Sequence, residues 1–143
     1  MALYLQFNTS KINQRCHIYI IIMPIEIGRD RLRQAILEAI SDKEMVKILD
    51  CATIRPKSVN AVIKETGISH STAYRKINWM LEQGLLYVEK IEITEDGKKF
   101  SLFKSTLKSI NVRYDQGKMN VQVEYNIDVL EKTAERLFSL DAG

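Results

Sequence analysis

From Lys57 to Gly84 the apolar positions fall into two short helical patterns separated by Gly67-Ile68-Ser69. Val59, Val62 and Ile63 share one face of the first pattern, and Ala73, Ile77 and Met80 share one face of the second. Both follow the i, i+3, i+4, i+7 spacing of a buried stripe. Gly67 stands where the first helix must stop, Ile68 can plug the angle between the helices, and the Ser69 hydroxyl can accept from the free N–H groups that open the second. The spacing predicts a helix-turn-helix.

Past Gly84 the period changes from helical to alternating. Leu85 to Glu95 is rich in β-branched and apolar residues, Asp96-Gly97 offers a type I′ turn, and Phe100 to Phe103 returns. With Asp96-Gly97 as a two-residue loop, Glu95 would face Lys98, Ile93 would face Phe100, Ile91 would face Leu102 and Glu89 would face Lys104. This matches apolar with apolar and charge with opposite charge. A helix-turn-helix followed at once by a hairpin is a winged helix, in which the second helix enters the DNA major groove and the hairpin touches the flanking backbone.

Two further helices are predicted upstream. Leu32, Ile36, Ala39 and Ile40 line one side of the first, from Arg29 to Ile40, while Arg29, Arg31 and Arg33 stay in water. Ser41 with Glu44 fits a capping box that would start the next, with Met45, Ile48, Leu49 and Ala52 facing inward. Ile54-Arg55-Pro56 ends that helix, and Pro56 turns the chain into a helix over Lys57 to Thr66. Downstream, a second hairpin looped at Gln116-Gly117 would set Tyr114 opposite Met119, Val112 opposite Val121 and Ile110 opposite Val123, giving one apolar face. Asp128 to Leu140 would form a terminal helix. Its Ile127, Leu130, Ala134 and Leu137 follow an a/d pattern for barely two heptads, and it would cover that face or pair with its copy. The fold class is therefore α+β: a three-helix core plus wing over residues 25–106, with residues 107–143 as a hairpin-and-helix appendage that can serve dimerisation.

Residues 1–24 form an N-terminal extension. Its apolar run, Ile18 to Ile25, is interrupted by Pro24 and is too short to span a bilayer. No small-residue cleavage site follows it, so it does not read as a signal peptide. Met23 opens a stretch that resembles an ordinary cytosolic start, and residues 1–22 are expected to lie upstream of the natural initiation site. The other reading of Ile18 to Met23 is an extra edge strand.

Composition narrows the chemistry. The 143 residues suffice for one core plus an appendage. Cys16 and Cys51 lie too far apart in sequence to suggest a disulfide framework or a paired metal-ligand spacing, which fits a reducing, cytoplasmic setting. Cys51, at the end of the second helix, reads as a buried inert thiol in preference to a redox sensor. His17 and His70 have no ligand-spaced neighbours, and no nucleophile-base-acid set, glycine-rich phosphate loop or paired acidic motif is visible. Neither enzymatic activity nor a cofactor is expected. The formal net charge is +3. Residues 41–105 carry eleven Lys and Arg against nine Asp and Glu, so any DNA-facing potential must come from placement.

Placement is informative on the second helix of the motif. With Ala73, Ile77 and Met80 inward, His70, Ser71, Tyr74, Arg75 and Asn78 face outward. Arg can pair bidentately with guanine and Asn with adenine. Ser69, Ser71 and Thr72 crowd the helix start, where N–H groups and the helix dipole favour a phosphate. Lys98 and Lys99 at the hairpin tip suit phosphate contact. These residues also fit a solvated helix face with a good cap and ordinary turn lysines; the turn and the hairpin together favour DNA. Trp79, at the border of the apolar stripe, is expected to pack against the wing or the leading helix.

The segment Gly67-Ile68-Ser69-His70-Ser71-Thr72-Ala73-Tyr74-Arg75-Lys76-Ile77, followed by Leu81-Glu82-Gln83-Gly84-Leu85-Leu86, resembles the winged helix-turn-helix regulators of the ArsR and MarR type, archaeal members above all. The resemblance covers about Ser41 to Ser105. It implies that Ser71, Thr72, Tyr74, Arg75 and Asn78 occupy DNA-facing positions. Metal-sensing members use clustered Cys, His or acidic ligands, and the cysteine pair is missing here. The expected function is a homodimeric, sequence-specific regulator of transcription on double-stranded DNA, without membrane association. The alternative is a winged-helix protein-interaction module in a transcription or processing assembly. A third reading, an enzyme-like effector domain, would need a polar pocket under the second hairpin, where the sequence supplies mostly Val, Ile, Tyr and Met.

Overall fold

The computed structural model describes residues 25–28, 30–126, 134, 135 and 137–139, and over these the chain is α+β. Strand β1 (Ile25–Glu26) is followed by helices α1 (Asp30–Ser41), α2 (Lys43–Ile54), α3 (Val59–Thr66) and α4 (His70–Glu82). Strands β2 (Leu86–Ile93) and β3 (Lys99–Ser105) form one antiparallel hairpin, and β4 (Leu107–Asp115) and β5 (Lys118–Tyr125) form a second. The second hairpin belongs to a three-stranded sheet of order β1-β5-β4. Residues 1–24, with the proposed start and the Ile18 to Met23 strand, lie outside the described residues. So does most of the terminal helix; residues 134, 135 and 137–139 are helical, and Leu137 and Phe138 are exposed.

Helices α2 and α4 bury the stripes their spacing demands, while on α3 Val62 is buried and Val59 and Ile63 are half-buried against the core. Met45, Ile48, Leu49 and Ala52 of α2 are all buried, as are Ala73, Ile77 and Met80 of α4. They join Ile36, Ala39, Val62, Leu86 and Phe103 in one core cluster. Each Val, Leu, Ile, Met or Phe side chain among them is worth about 1.5–3 kcal/mol when fully buried. On α1 the stripe is narrower than expected: Ala35, Ile36 and Ala39 are buried, whereas Ile40 is exposed and lines a concavity with Leu107 and Ile110. Arg31 is exposed, while Arg33 is half-buried and paired with Asp30 at 2.8 Å.

Two helix starts differ from the sequence reading. Asp42, not Ser41, caps α2, its carboxylate accepting from the N–H groups of Glu44 and Met45 at 2.9 and 3.0 Å. Ser41 completes α1, and its hydroxyl donates back to the Glu38 carbonyl. An ionised carboxylate at the dipole-positive helix end is the stronger acceptor, so the expected capping box does not form. The third helix begins at Val59, because Ser58 is the residue whose hydroxyl reaches the Ala61 N–H and Lys57 bonds with Phe103 instead.

The turn between α3 and α4 matches its sequence. Gly67 is left-handed, with φ 71°, and its N–H reaches the Ile63 carbonyl; Ile68 is buried in the angle, and Ser69 caps α4. At the far end of α4, Gly84 donates to the Leu81 carbonyl and Leu85 to that of Met80, a Schellman closure in which buried Leu85 packs back towards buried Met80. That closure aims the chain into β2.

The first hairpin is shifted by one residue from the expected register. Ile93 pairs with Lys99, Glu92 with Phe100, Ile91 with Ser101 and Lys90 with Leu102, and a bulge between Val88 and Lys90 adds a further shift. The cause is Thr94. Its hydroxyl bonds the Asp96 carboxylate and accepts from the Lys98 N–H, Gly97 donates to the Thr94 carbonyl, and Gly97 takes φ 80°. The loop is thus a type I turn closed by a left-handed glycine, three residues long. A one-residue slip reverses faces, so Ile91 and Ile93 sit in solvent and not against Phe100 and Leu102.

The second hairpin has the expected pairs, Tyr114 with Met119, Val112 with Val121 and Ile110 with Val123, around Gln116 and Gly117 at φ 48° and 80°. Its base is buried at Val121 and Val123, while every residue from Asn111 to Asn120 is exposed. β1 pairs Ile25 with Val123 and Glu26 with Gln122, so a strand from the front of the 25–106 segment completes the sheet of the 107–143 appendage. Among the described residues, no helix is long and apolar enough to cross a membrane.

Candidate nucleic-acid interface

Helical periodicity places the candidate residues by default. With Ala73, Ile77 and Met80 committed to the core, His70, Ser71, Tyr74, Arg75 and Asn78 are all exposed on the opposite side of α4. His70 and Tyr74, one turn apart, stack with ring centroids 4.6 Å apart and a 37° tilt, which stiffens the first turns of that face. The side chains of Ser71, Arg75 and Asn78 make no hydrogen bond or ion pair among the described residues, so their polar groups stay available.

The hydroxyls at the helix start are less free. Ser69 donates to the Thr72 hydroxyl at 2.9 Å while accepting from the Thr72 N–H at 3.4 Å, and Thr72 is half-buried. These two organise the helix entrance, whereas Ser71 is turned outward.

Sequence reasoning missed Lys76, which lies on α4 between the two faces and is buried. Its ammonium bonds the Asp42 carboxylate and lies 3.1 Å from Glu44. Burial alone would push Lys76 down, but its bonds to Asp42 and Glu44 outweigh that and hold it above the ordinary lysine value. The bond from Lys76, helped by the N–H groups of Met45 and Glu44, holds Asp42 below the ordinary carboxylate range. The same carboxylate therefore caps α2 and clamps α4, which fixes the angle at which the α4 face is offered.

A groove of about 290 Å³ runs between α4 and the first hairpin, with Tyr74 and Asn78 on one wall and Val88 and Lys99 on the other. Lys99 and Lys98 are exposed at the hairpin end, but Lys98 lies 3.1 Å from Asp96, so part of its charge is already answered. Lys90 is similarly paired with Glu92. Trp79 is half-buried and packs against the core cluster.

Other candidates are not assembled. Among the described residues, no group of His, Cys, Asp or Glu could hold a metal ion. Cys51 is half-buried; burial and a bond to Glu65 push its thiol up, which favours the protonated form. The concavity beneath the second hairpin is small, about 160 Å³, and mixed in lining, with Leu49, Leu107 and Ile110 beside Asp50 and Lys108. Comparisons with family models, curated proteins and solved structures gave no match.

Proposed function

We propose that this chain is a winged helix-turn-helix regulator of transcription, similar in type to the ArsR and MarR regulators, that reads double-stranded DNA as a homodimer. The observation that carries the reading is the outward face of α4: Ser71, Arg75 and Asn78 stand free beside the stacked His70 and Tyr74, on a helix whose seating is clamped by Lys76. On this reading α4 enters the major groove, Arg75 and Asn78 read base edges, and Ser71 meets a phosphate. The β2–β3 hairpin acts as the wing, with Lys99 on the flanking backbone. Two copies would place their recognition helices about 34–36 Å apart on a pseudo-palindromic site.

Selection from a random DNA pool tests this, run with the parent protein beside a Tyr74→Ala, Arg75→Ala double variant. An inverted repeat enriched by the parent alone is the expected result, and no enrichment at low salt defeats it. The single Arg75→Ala change should remove about 1–3 kcal/mol of discrimination. Equal losses on specific and random DNA would demote Arg75 to a phosphate contact.

One observation favours a second reading. Asp96 and Glu92 answer Lys98 and Lys90, so the hairpin carries little net positive charge for a backbone contact. A winged-helix protein-interaction module would have no need of one. Salt separates the two readings, because counterion release makes DNA affinity fall steeply between low and moderate ionic strength.

A further inference from the structure

The β4–β5 hairpin carries a feature that the α4 face does not explain. Its outer half stands in solvent on both faces, and Val112 and Tyr114, 36% and 70% exposed, continue the apolar row that begins at half-buried Ile110. Among the described residues, β4 is also the edge of its sheet.

The hydrogen-bonding alternation tells which groups that edge offers. A two-residue loop makes Asp115 and Lys118 a hydrogen-bonded pair, so Arg113 and Asn111 turn their main-chain groups toward β5. Ile110, Val112 and Tyr114 therefore turn theirs to the open side. The same alternation sends the Val121 carbonyl to the far side of β5, where the Ile27 N–H meets it at 2.9 Å. From Ser109 to Asp115 the edge carries neither proline nor lysine, its two charged residues, Arg113 and Asp115, lie 3.6 Å apart and answer each other, and the bulge lies further back between Leu107 and Ser109.

We infer that a second copy of this chain pairs antiparallel with β4, centred on Val112 against Val112 of the second copy. This register sets Ile110 opposite Tyr114 and joins the two apolar rows. On the other face it sets Asn111 opposite Arg113 and Ser109 opposite Asp115, with no like charges facing. Centring on Arg113 would oppose two guanidinium groups, centring on Asn111 would put Tyr114 against Lys108, and centring on Ile110 would put Val112 against Lys108. The pairing forms about six main-chain hydrogen bonds and one continuous sheet, β1-β5-β4-β4-β5-β1. It supplies an interface for the dimer in the reading above and rests only on that dimeric part.

The test uses the full chain without DNA, in a Cys16→Ser, Cys51→Ser background. With Val112→Cys, the two copies present their Cα atoms about 5.5 Å apart, within disulfide reach. Oxidation should give a covalent dimer, while Met119→Cys on the neighbouring strand should stay monomeric on a denaturing gel. Val112→Pro removes an N–H that β5 does not use, and light scattering should then find a monomer with unchanged helical circular dichroism. Absence of the Val112→Cys dimer, equal cross-linking at Met119→Cys, or a dimer that survives Val112→Pro overturns the inference. Should Val112→Pro fail to fold, the cross-linking pair decides alone. Because no DNA is present, failure here leaves the DNA reading to the selection experiment.

Discussion

The two hairpins both spring from the core and end in water, but they are anchored and finished differently. The first is stapled at its base to the α2–α3 link, where Lys57 and Phe103 exchange both main-chain hydrogen bonds at 2.9 Å. The second is held by Asn126, whose side chain donates to the Thr53 and Ser105 carbonyls, and by β1 along part of β5. Toward the tip, the first scatters its apolar residues, with Ile91 and Ile93 opposite Ser101 and Lys99. The second aligns Ile110, Val112, Tyr114 and Met119 on one face. A single register step separates the two patterns. Scattered apolar residues among paired charges suit an arm that stays hydrated beside a ligand, whereas an aligned row suits an arm that docks.

The strongest way to break this contrast is at the bases. Phe103→Ala should destabilise the protein by about 3–5 kcal/mol, and Val121→Ala by about 1–3 kcal/mol, as measured by denaturant unfolding. Equal losses would mean that the anchors are equivalent. Next comes Lys76, which steadies α4 beside the first hairpin only. Lys76→Met should lose about 2 kcal/mol at neutral pH and raise amide exchange in α4 more than in β5.

The pH dependence of that clamp follows from the two shifts. Asp42 sits below its ordinary value of 3.8, so its contribution is complete above that pH and is lost as the pH falls through the lower folded value. Lys76 sits above its ordinary value of 10.5, so its contribution is complete below that pH and is lost as the pH rises through the higher folded value. Lys76→Met should flatten both limbs of the stability profile. An unchanged acid limb would show that Asp42 acts through its cap alone.

Smaller effects sharpen the comparison at the tips. Gly97→Ala and Gly117→Ala would each place a Cβ in open space, with nothing within 4 Å, so each cost is backbone strain alone, about 1–2 kcal/mol. A larger loss at Gly97 would show that the Thr94–Asp96 turn couples to the rest of the hairpin. Least of all, Ile91→Thr should change stability by less than about 0.5 kcal/mol, since the slipped register already leaves Ile91 in water.

What could be read from the chain is what local rules govern. The inward faces of α2 and α4, the Gly67-Ile68-Ser69 turn and the Gln116-Gly117 register all follow from period and turn chemistry within a few residues. The misses are side-chain competitions and distant pairings. Ser41 and Asp42 are both good caps, and the neighbouring helix end decides between them. Thr94 overrode an Asp-Gly signal through hydroxyl bonds that a turn dipeptide does not encode. Lys76 went unread because its partner Asp42, the cap of α2, is 34 residues away in sequence, and β1 is too short to show any alternation. At the α4 face the exposed set was legible for the same periodic reason. The Ser69–Thr72 bond and the pairing of Lys98 with Asp96 were not.

The pairing of Ile25 with Val123 also bears on how the chain acquires its structure. Contacts among α1 to α4 and the β2–β3 hairpin span shorter stretches than the pairing of β1 with β5 and can form earlier, whereas β1 has no strand partner among the described residues until β5 exists. During synthesis helices α1 to α4 can therefore settle while β1 still waits. The last step joins the first strand to the last, which makes completion of the three-stranded sheet a late checkpoint on folding.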